Sequence, residues 1–271
     1  MAQRRSIAGS RVLITGASQG IGRSLALQAA MRGARVLAAA RNAPLLEELG
    51  EEAKAAGYPI KTLAADVIKP EDRLAMIGAM VERFGGMDIL INNAGIGASG
   101  NFAEAKEDRL RSIFEVNVFG LAELIRHAIP VLKQGVKPAI VNISSVLGKR
   151  ALPGRSEYSA SKFAVQGLSE ALRGELSKDG IDVIIINPGL TQTNFSQNMI
   201  ERKSLIQLDH MRGMTADQVA MATLNAIERG KNEITLTTQG RLLVFMNRFF
   251  PRLTERIIAR RVKRLYADAP Q

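Results

Sequence analysis

The sequence predicts an α/β protein built on one doubly wound parallel sheet of about seven strands, with helices on both faces. Three observations support this fold class. Short apolar runs alternate with longer segments of helical periodicity, which is typical of parallel strands joined by right-handed crossovers. Hydrophobic residues make up 46% of the 271-residue chain, enough to bury a sizeable core. A cluster of glycines directly follows the first apolar run.

Each predicted strand is a short apolar run, and each predicted helix is a longer segment whose apolar residues recur with helical spacing. The strands lie at residues 12–15, 35–40, 60–64, 88–91, 139–143 and 182–186, with a seventh at 233–237. The helices lie at residues 20–32, 43–56, 70–84, 107–132 and 157–178. No internal repeat or linker is recognisable, so we expect one domain over residues 1–240 and a C-terminal extension over residues 241–271.

The composition excludes several kinds of site. The chain has no cysteine, hence no disulfide framework, no thiolate metal site and no cysteine nucleophile. With two histidines, His127 and His210, no metal centre is expected. No apolar run approaches the roughly 18–20 residues of a membrane-spanning helix, and no signal peptide is recognisable. A cytoplasmic protein is therefore expected.

The glycine cluster lies between the first predicted strand and the first predicted helix. Gly16 would permit a tight turn, Gly20 would let the backbone approach a pyrophosphate, and Gly22 would let the helix pack on the strand. The helix N-terminus would present free N–H groups to the phosphates. The spacing G-x-x-x-G-x-G differs from the commoner dinucleotide fingerprint, so a plain structural turn is the alternative. The other candidate phosphate-binding residues of this loop are Ser18, Gln19 and Ile21.

The end of the second predicted strand discriminates between dinucleotides. An NAD site usually places an acidic residue here, which accepts a hydrogen bond from the ribose 2′-hydroxyl. In this chain Ala40 ends the strand and Arg41 follows. A guanidinium can hold a 2′-phosphate, so the sequence predicts NADP(H) rather than NAD(H). A solvated surface arginine is the alternative.

A tyrosine and a lysine form a candidate acid/base pair. Tyr158 and Lys162 are four residues apart in a predicted helix and therefore share one face. The ammonium group is expected to lower the tyrosine pKa from about 10 towards neutrality, as a general acid/base requires. Ser145 follows an apolar strand, where ligand sites of such sheets collect. Taken alone, the pair is more typical of two surface side chains than of an acid/base site.

Together these motifs resemble the classical short-chain dehydrogenase/reductase family, whose domain is a Rossmann fold. The resemblance covers about residues 10–240, in the family's order and spacing. The motifs that carry it are TGASQGIG at 15–22, NNAG at 92–95, VNVFG at 116–120, NISS at 142–145, YSASK at 158–162 and NPGLTQT at 187–193.

The resemblance implies a role for each matching residue. Tyr158 would exchange a proton with the substrate oxygen, Ser145 would orient the carbonyl group, and Lys162 would bind the nicotinamide ribose and lower the Tyr158 pKa. Asn117 would hold a water that links Lys162 to solvent, and Ser144 would be structural. The remaining residues implied to contact the cofactor are Asp66, Val67, Asn93, Ala94, Gly95, Pro188, Gly189 and Thr193.

The substrate side of the site is expected to be apolar. Residues 194–214 correspond to the family's substrate lid. The apolar residues of this lid are Phe195, Met199, Ile200, Leu205, Ile206, Leu208, Met211 and Met214, and those expected on the opposite wall are Leu147, Leu152 and Pro153. Such walls suit a lipophilic substrate such as a steroid, retinoid, sphingoid or acyl compound. They are equally suited to packing the lid on its own domain. No charged residue is placed by the sequence to bind a substrate phosphate or carboxylate.

The net charge of +11 is concentrated in the C-terminal extension. Residues 241–271 contain eight Lys and Arg and two acidic residues, a net charge of +6. The apolar residues that share one helical stripe here are Leu253, Ile257, Ile258, Val262, Leu265 and Tyr266. A basic amphipathic helix can lie in a membrane interface, so peripheral membrane contact is one hypothesis. A helix docked on its own subunit or on a partner is the alternative. Nucleic-acid binding is disfavoured because no base-reading motif is present.

The sequence thus predicts an NADP-dependent oxidoreductase that interconverts a ketone or aldehyde with an alcohol. The resemblance also implies a homodimer or homotetramer built on the helices at about residues 107–132 and 157–178. Two other functions stay open. One is a non-catalytic NADP-binding sensor that uses its basic tail to bind a partner. The other is a nucleotide-sugar epimerase or dehydratase, which shares the Tyr–Lys pair but usually has a longer substrate domain.

Overall fold

A computed structural model describes residues 3–204 and 212–267, with the side chains of 265–267 left undescribed. Within these ranges the main sheet has seven parallel strands in the order β3-β2-β1-β4-β5-β6-β9. Its strands are β1 (Arg11–Thr15), β2 (Arg35–Ala40), β3 (Lys61–Ala64), β4 (Ile89–Asn92), β5 (Ala139–Ile143), β6 (Asp182–Asn187) and β9 (Glu233–Thr235). A second, two-stranded sheet pairs β7 (Thr191–Gln192) with β8 (Met214–Thr215).

Helices cover both faces of the main sheet. They are α1 (Gly20–Met31), α2 (Ala43–Ala55), α3 (Pro70–Phe84), α4 (Glu107–Phe114), α5 (Leu121–Leu132), α6 (Ser156–Glu175), α7 (Ala216–Glu228), α8 (Thr238–Phe249) and α9 (Pro251–Ala267). One apolar cluster joins the sheet to α1, α2 and α7, and a second joins it to α3, α5 and α6. In β1, successive side chains point to opposite faces, so Val12 and Ile14 enter the first cluster and Leu13 the second. This arrangement confirms the doubly wound sheet.

The strand order places a switch point next to β1. The chain proceeds from β1 to β2 and β3 on one side, and then from β4 to β5, β6 and β9 on the other. The connections that leave β1 and β4 therefore diverge at their carboxyl ends and open a crevice between them. Ligands of such sheets bind in that crevice, and the motif residues lie at this edge.

Three elements differ from the expectations. The segment 107–132 is not a uniform α-helix, because a π-helical turn (Glu115–Gly120) joins α4 to α5. The C-terminal extension contains two helices, since Pro251 begins a new helix directly after α8. Helix α7 was not predicted, although Thr215 and Gln218 form a reciprocal capping box that the sequence pattern T-x-x-Q could have revealed.

Candidate active site

The glycine loop between β1 and α1 has no room for a side chain at Gly16 or Gly22. Gly16 and Gly20 have φ angles of 64° and 56°, in the left-handed region that favours glycine. A Cβ atom on Gly16 would lie 2.8 Å from the Cα atom of Ala94. A Cβ atom on Gly22 would lie 2.2 Å from the carbonyl oxygen of Gly16, so α1 packs directly on the turn. The loop leaves the N-terminus of α1 facing the crevice, where backbone N–H groups can receive an anion.

Two neighbouring motifs hold this loop in place. The side-chain amide of Asn93 donates hydrogen bonds to the carbonyl oxygens of Thr15 and Gly16, at 3.0 and 3.1 Å. The Thr15 hydroxyl in turn accepts from the backbone N–H groups of Asn93 and Ala94, both at 3.1 Å. Thr15 was not among the predicted site residues, although it begins the glycine motif. Asn93 therefore shapes the glycine loop, in addition to lining the crevice.

At the far end of the crevice, Arg41 follows β2 with its side chain 66% exposed. Its guanidinium lies 4.0 Å from the carboxylate of Asp66, at the limit of an ion pair. Asp66 also accepts a hydrogen bond from the backbone N–H of Ile68, which shapes the turn after β3. Arg41 is thus held loosely and can reorient towards a ligand.

The acid/base residues come together from two elements. Ser145 follows β5, and its hydroxyl accepts a hydrogen bond from the backbone N–H of Leu147 at 3.1 Å. Tyr158 and Lys162 lie one turn apart on α6, with the Lys162 Nζ atom 5.7 Å from the centre of the tyrosine ring. The hydroxyl of the neighbouring Ser144 instead donates a hydrogen bond to the backbone carbonyl of Lys162 at 3.2 Å.

Asn117 lies fully buried in the π-helical turn between α4 and α5. Its amide oxygen accepts from the backbone N–H of Ile96, and its amide nitrogen donates to the Ile96 carbonyl and to the Ser161 hydroxyl, each at 2.9 Å. A Cβ atom on Gly95 would lie 3.3 Å from Asn117 Oδ1 and 3.7 Å from Lys162 Nζ. Asn117 and Lys162 therefore meet around Gly95. Such π-helical turns are frequent at functional sites.

The pKa of Tyr158 differs from the expectation. Burial raises the pKa of Tyr158 to about 12, although a hydrogen bond to Ser145 and the charge of Arg155 act in the opposite direction. Burial likewise lowers the pKa of Lys162 to about 8. The Lys162 ammonium bonds to the carbonyl oxygen of Ile143 at 2.9 Å rather than to the phenol. The predicted lowering towards neutrality is therefore wrong for the structure as described, because desolvation outweighs the neighbouring charges.

Most of the predicted site residues line one cleft of about 1250 Å³. The predicted residues along it are Gly16, Ser18, Gln19, Gly20, Ile21, Arg41, Asn93, Gly95, Ser145, Tyr158, Lys162, Pro188, Gly189 and Thr193. Gly22, Asp66, Val67, Ala94 and Asn117 are not among the lining residues. The volume exceeds the roughly 300–1,000 Å³ of ordinary small-molecule pockets, so the cleft is large enough for two ligands side by side.

The expected substrate lid covers the tyrosine end of this cleft. The ring of Phe195 packs on the ring of Tyr158, with centroids 5.6 Å apart, and Met199 also lines the cleft. Leu147, Leu152 and Pro153 line it too, as predicted. Ile200 is exposed instead, and Met214 packs against the core. The predicted lid residues Leu205, Ile206, Leu208 and Met211 lie outside the described residues.

Helices α8 and α9 close another wall of the cleft. A Cβ atom on Gly240 would lie 2.7 Å from the side chain of Val146, so α8 begins in close contact with the site. The cleft-lining apolar residues of these helices are Leu243, Ile257, Ile258 and Val262. Arg150 forms an ion pair with Glu255 of α9 at 2.5 Å. Part of the predicted apolar stripe thus faces the chain's own cleft, while the side chains of Leu265 and Tyr266 lie outside the described residues.

A charged residue beside the tyrosine was missed. The sequence placed no charged side chain for a substrate anion, yet Arg155 lines the cleft close to Tyr158. Arg155 is the residue directly before α6, and its backbone is not helical. Its position beside Tyr158 comes from the turn that leads into the helix, which the sequence pattern does not indicate. The structure thus places at the substrate end a charged side chain that the sequence analysis did not single out.

The part of the chain that the structure describes contains neither a candidate membrane-spanning helix nor a candidate metal-binding cluster. Among the residues described, no helix is both long and apolar enough to cross a membrane. Across the same residues, no three His, Asp or Glu side chains gather as a metal ion would require.

Comparison with known proteins identifies the family. Residues 10–204 match the family model described as "short chain dehydrogenase". Because this match spans more than half of the chain and agrees with the fold and the site, the protein belongs to the short-chain dehydrogenase/reductase family. The resemblance inferred from the motifs is thereby confirmed.

Relatives and solved structures agree with this assignment. The chain is 32% identical over 262 residues to dehydrogenase/reductase SDR family member 7B of Mus musculus, covering 93% of this chain and 81% of the relative. It is 33% identical over 255 residues to the uncharacterized oxidoreductase YxnA of Bacillus subtilis, covering 91% and 70%. A short chain dehydrogenase/reductase from Burkholderia phymatum, solved with NAD, superposes with a TM-score of 0.84 at 26% identity, covering 92% and 96%. A short chain dehydrogenase from Burkholderia cenocepacia, solved with NADP, gives 0.78 at 26%, covering 94% and 99%.

Proposed function

We propose that this protein is an NADP(H)-dependent oxidoreductase that interconverts a ketone or aldehyde with an alcohol. The observation that carries the proposal is the convergence of Ser145, Tyr158 and Lys162 on one cleft at the carboxyl edge of the sheet. A proton donor, a hydroxyl that can orient a carbonyl group and a cation are then available in the same place. The relatives that are oxidoreductases by name support the same reaction class.

The glycine loop fits a dinucleotide. Glycine at Gly16 and Gly22 lets the loop pack closely on Ala94 and on its own turn, and the loop residues Gly16 to Ile21 that line the cleft lead into the N-terminus of α1. Gly16, Ser18, Gln19 and Gly20 would hold the pyrophosphate, and Lys162 the nicotinamide ribose. When bound, the nicotinamide supplies or accepts the hydride. Pro188, Gly189 and Thr193, which would position the carboxamide, line the cleft. Of the residues implied to contact the adenosine part, Asn93 and Gly95 line it, whereas Asp66, Val67 and Ala94 do not.

The chain itself supplies the proton. With a pKa of about 12, the Tyr158 phenol is protonated at neutral pH and can donate from its hydroxyl to a developing alkoxide. The Ser145 hydroxyl would donate a hydrogen bond to the same oxygen and hold the carbonyl group in line. Asn117, beside Lys162, would order a water that resupplies the proton from solvent. In the reverse direction, Tyr158 would have to be ionised to accept the proton.

The preference for NADP(H) rests on Arg41. This guanidinium is exposed at the end of β2 and only loosely paired with Asp66, so it can form charge-assisted hydrogen bonds to a 2′-phosphate. Ala40 offers no acceptor for a ribose hydroxyl. Proteins of similar structure have been solved with either dinucleotide, so this preference is a property of these side chains rather than of the fold.

We propose a lipophilic substrate because apolar side chains surround the tyrosine end of the cleft. They come from the lid, from the segment after β5 and from the C-terminal helices, and they are Phe195, Met199, Leu147, Leu152, Leu243, Ile258 and Val262. Burying an apolar body against such walls is favourable in proportion to the area removed from water. The flexible side chain of Met199 would let this wall adapt to substrates of different shape.

The proposed function is tested by turnover with the purified protein. Oxidation of NADPH and of NADH is measured in the presence of a panel of ketones and aldehydes graded by size and lipophilicity. Tyr158→Phe should lower kcat at least about 100-fold, because the proton donor is lost, while the Kd for NADPH stays within about twofold. Tyr58→Phe, at an exposed tyrosine, is the control and should change neither. NADPH binding without turnover by the wild type would favour the NADP-binding sensor instead.

We also propose a homo-oligomer that uses α4, α5 and α6. Phe119 lies in the π-helical turn between α4 and α5 and is 52% exposed, and Phe163 of α6 is 44% exposed, which is unusual for large aromatic side chains. A mass measured by light scattering should fall towards that of a monomer in Phe119→Glu and Phe163→Glu. An unchanged mass in both variants would reject this interface.

A peripheral membrane contact is proposed for the outer face of α8 and α9. Five apolar residues there are about half exposed or more, namely Leu242, Phe245, Phe249, Phe250 and Leu253. Arg248, Arg252 and Arg256 lie among them in the sequence. This combination of aromatic and cationic side chains suits an anionic membrane surface.

A further inference from the structure

Arg155 is a buried cation for which the described residues provide no anionic partner. Only 8% of the residue is exposed, yet within residues 3–204 and 212–267 no carboxylate lies within ion-pair distance of its guanidinium. The hydrogen-bond acceptor found for it there is the thioether sulfur of Met199, at 3.4 Å. A thioether is a weak acceptor, whereas a guanidinium carries five N–H donors. Within the part of the chain that the structure describes, most of the N–H donors of Arg155 therefore have no hydrogen-bond acceptor.

A nearby arginine shows how the same fold satisfies a buried guanidinium. Arg109 of α4 is 2% exposed and is bonded to the carboxylates of Glu157 and Glu201, at 2.7 and 2.6 Å. This pairing fits the general rule that a buried charge is compensated by an opposite charge. Glu157 lies only two residues beyond Arg155, but its carboxylate is directed to Arg109. The charge of Arg155 is left for a group that is not part of the described chain.

The location of Arg155 indicates what that group is. Arg155 lines the cleft directly before the start of α6, and it is close enough to Tyr158 for its charge to favour the tyrosinate. Burial lowers the pKa of Arg155 from its ordinary value, an interaction with Tyr158 acts against this, and the charge of Arg202 adds to the lowering. Arg155 thus lines the substrate end of the cleft while the charge of Arg202 repels it from nearby. An anion bound there would relieve the desolvation of Arg155 and its repulsion from Arg202.

We propose that Arg155 forms a substrate subsite that binds an anionic group, a carboxylate in the first instance, on a carbonyl compound whose remaining body is apolar. This proposal rests on the proposed function and narrows its substrate class to amphipathic oxo acids. The carboxylate accepts a bidentate pair of hydrogen bonds from the guanidinium. The apolar body lies against Leu152, Met199 and the helices α8 and α9, and the carbonyl carbon faces Tyr158 and Ser145.

The first test uses kinetics with matched substrates. An aliphatic oxo acid is compared with its methyl ester, which has the same carbonyl group and chain but no charge. In Arg155→Met, the KM for the oxo acid should rise about 10- to 100-fold, as expected for loss of hydrogen bonds to a charged group, while the KM for the ester stays within about twofold. Arg155→Lys keeps the charge but loses the planar guanidinium, so its KM for the oxo acid should lie between the values of the wild type and of Arg155→Met. An equal KM rise for acid and ester would overturn the proposal.

A second measurement does not depend on turnover. Octanoate and octanamide are titrated calorimetrically into the NADPH-bound protein. Octanoate should bind at least about tenfold more tightly than octanamide, and Arg155→Met should abolish the difference. Equal affinity of the two probes for the wild type overturns the anionic subsite, even if carbonyl turnover is normal. Conversely, octanoate binding through Arg155 without any carbonyl turnover would reject the proposed function and keep the subsite.

A control variant and a pH profile distinguish substrate binding by Arg155 from an effect of its charge on Tyr158. Arg229→Met removes one exposed charge at the opposite edge of the sheet, before β9, and should leave both KM values unchanged. Thermal melting verifies that each variant is folded. If Arg155→Met lowered kcat equally for acid and ester and shifted the pH profile, Arg155 would be a positioning residue for Tyr158 rather than a binding residue, and the proposal would be wrong.

Discussion

The side-chain amide of Asn93 donates a hydrogen bond to the carbonyl oxygen of Gly16 at 3.1 Å, and so fastens the end of β4 to the glycine loop of β1. The two residues are 77 positions apart in the chain. They meet because β1 and β4 are neighbours in the sheet and end at the same edge. The loop that we propose to hold the pyrophosphate is therefore shaped by a side chain from a different motif.

This packing leads to a prediction for Gly22. In Gly22→Ala, the added methyl group would meet the Gly16 carbonyl at 2.2 Å and the Asn93 amide at 2.5 Å, so the loop must shift. We expect the free energy of unfolding to fall by about 1–3 kcal/mol, as for other overpacked sites, and the Kd for NADPH to rise about tenfold or more. Thermal melting and equilibrium binding measure the two effects.

Gly78→Ala is the matched control for this change. Gly78 lies within α3, and nothing lies within 4 Å of a Cβ atom built there. Alanine should therefore stabilise the helix by about 0.5–1 kcal/mol and leave NADPH binding unchanged. If Gly22→Ala behaved like Gly78→Ala, the tight contact between α1 and the turn would be contradicted.

The pKa of Tyr158 predicts different pH profiles for the two directions of the reaction. With the pKa raised to about 12, the phenol stays protonated at neutral and mildly alkaline pH. Carbonyl reduction should therefore change less than about twofold in kcat between about pH 7 and pH 9. Alcohol oxidation needs the tyrosinate form of Tyr158. At pH values below the pKa, the tyrosinate fraction grows about tenfold per pH unit, so kcat for oxidation should rise with pH by the same factor.

Initial rates in buffers of constant ionic strength measure both profiles. A reduction rate that falls with a midpoint near neutrality would show that the Tyr158 pKa is lowered in the working complex, as the sequence alone predicted. Tyr58→Phe controls for ionisation of a tyrosine outside the cleft.

Cofactor preference should respond to two residues at the end of β2. Changing Ala40 to Asp together with Arg41 to Leu supplies an acceptor for a ribose hydroxyl and removes the guanidinium. We expect kcat/KM for NADPH to fall about 10- to 100-fold, and the preference to move towards NADH. Arg35→Leu, an exposed arginine at the other end of β2, should have no effect. An unchanged preference for NADPH in the double variant would reject the role of Arg41.

The two faces of the C-terminal helices should have separable roles. Ile258 lines the cleft, whereas Phe249 is 59% exposed on the outer side. Ile258→Ser should raise the KM for large apolar carbonyl compounds about tenfold, through lost apolar contact, without changing partitioning onto anionic liposomes. Phe249→Ser should weaken that partitioning and leave the KM unchanged. If neither variant altered liposome partitioning and a deletion of residues 241–271 did not either, membrane contact through this tail would be rejected.

Much of the fold and of the site could be predicted from the sequence because the signals are local. Apolar runs such as residues 139–143 and glycine at Gly16 and Gly20 report on the backbone of their own segment, and the structure has β5 at those residues and left-handed φ angles at both glycines. The Tyr158–Lys162 spacing likewise placed both side chains on one helix face. The position of Arg155 beside the cleft could not be predicted in this way, because Arg155 lies in the non-helical turn before α6 and its surroundings depend on tertiary packing.

What the sequence by itself determined is the succession of the seven strands of the main sheet, the family and the residues that can carry the chemistry, since these follow from periodicity, turn chemistry and motif spacing. The tertiary structure alone decided which distant residues meet. It placed α8 and α9 against the cleft, joined Asn93 to Gly16, and left Arg155 buried without a carboxylate beside it among the described residues. It also reversed the expected direction of the Tyr158 pKa, because desolvation depends on everything packed around a group and not on its neighbours in the chain.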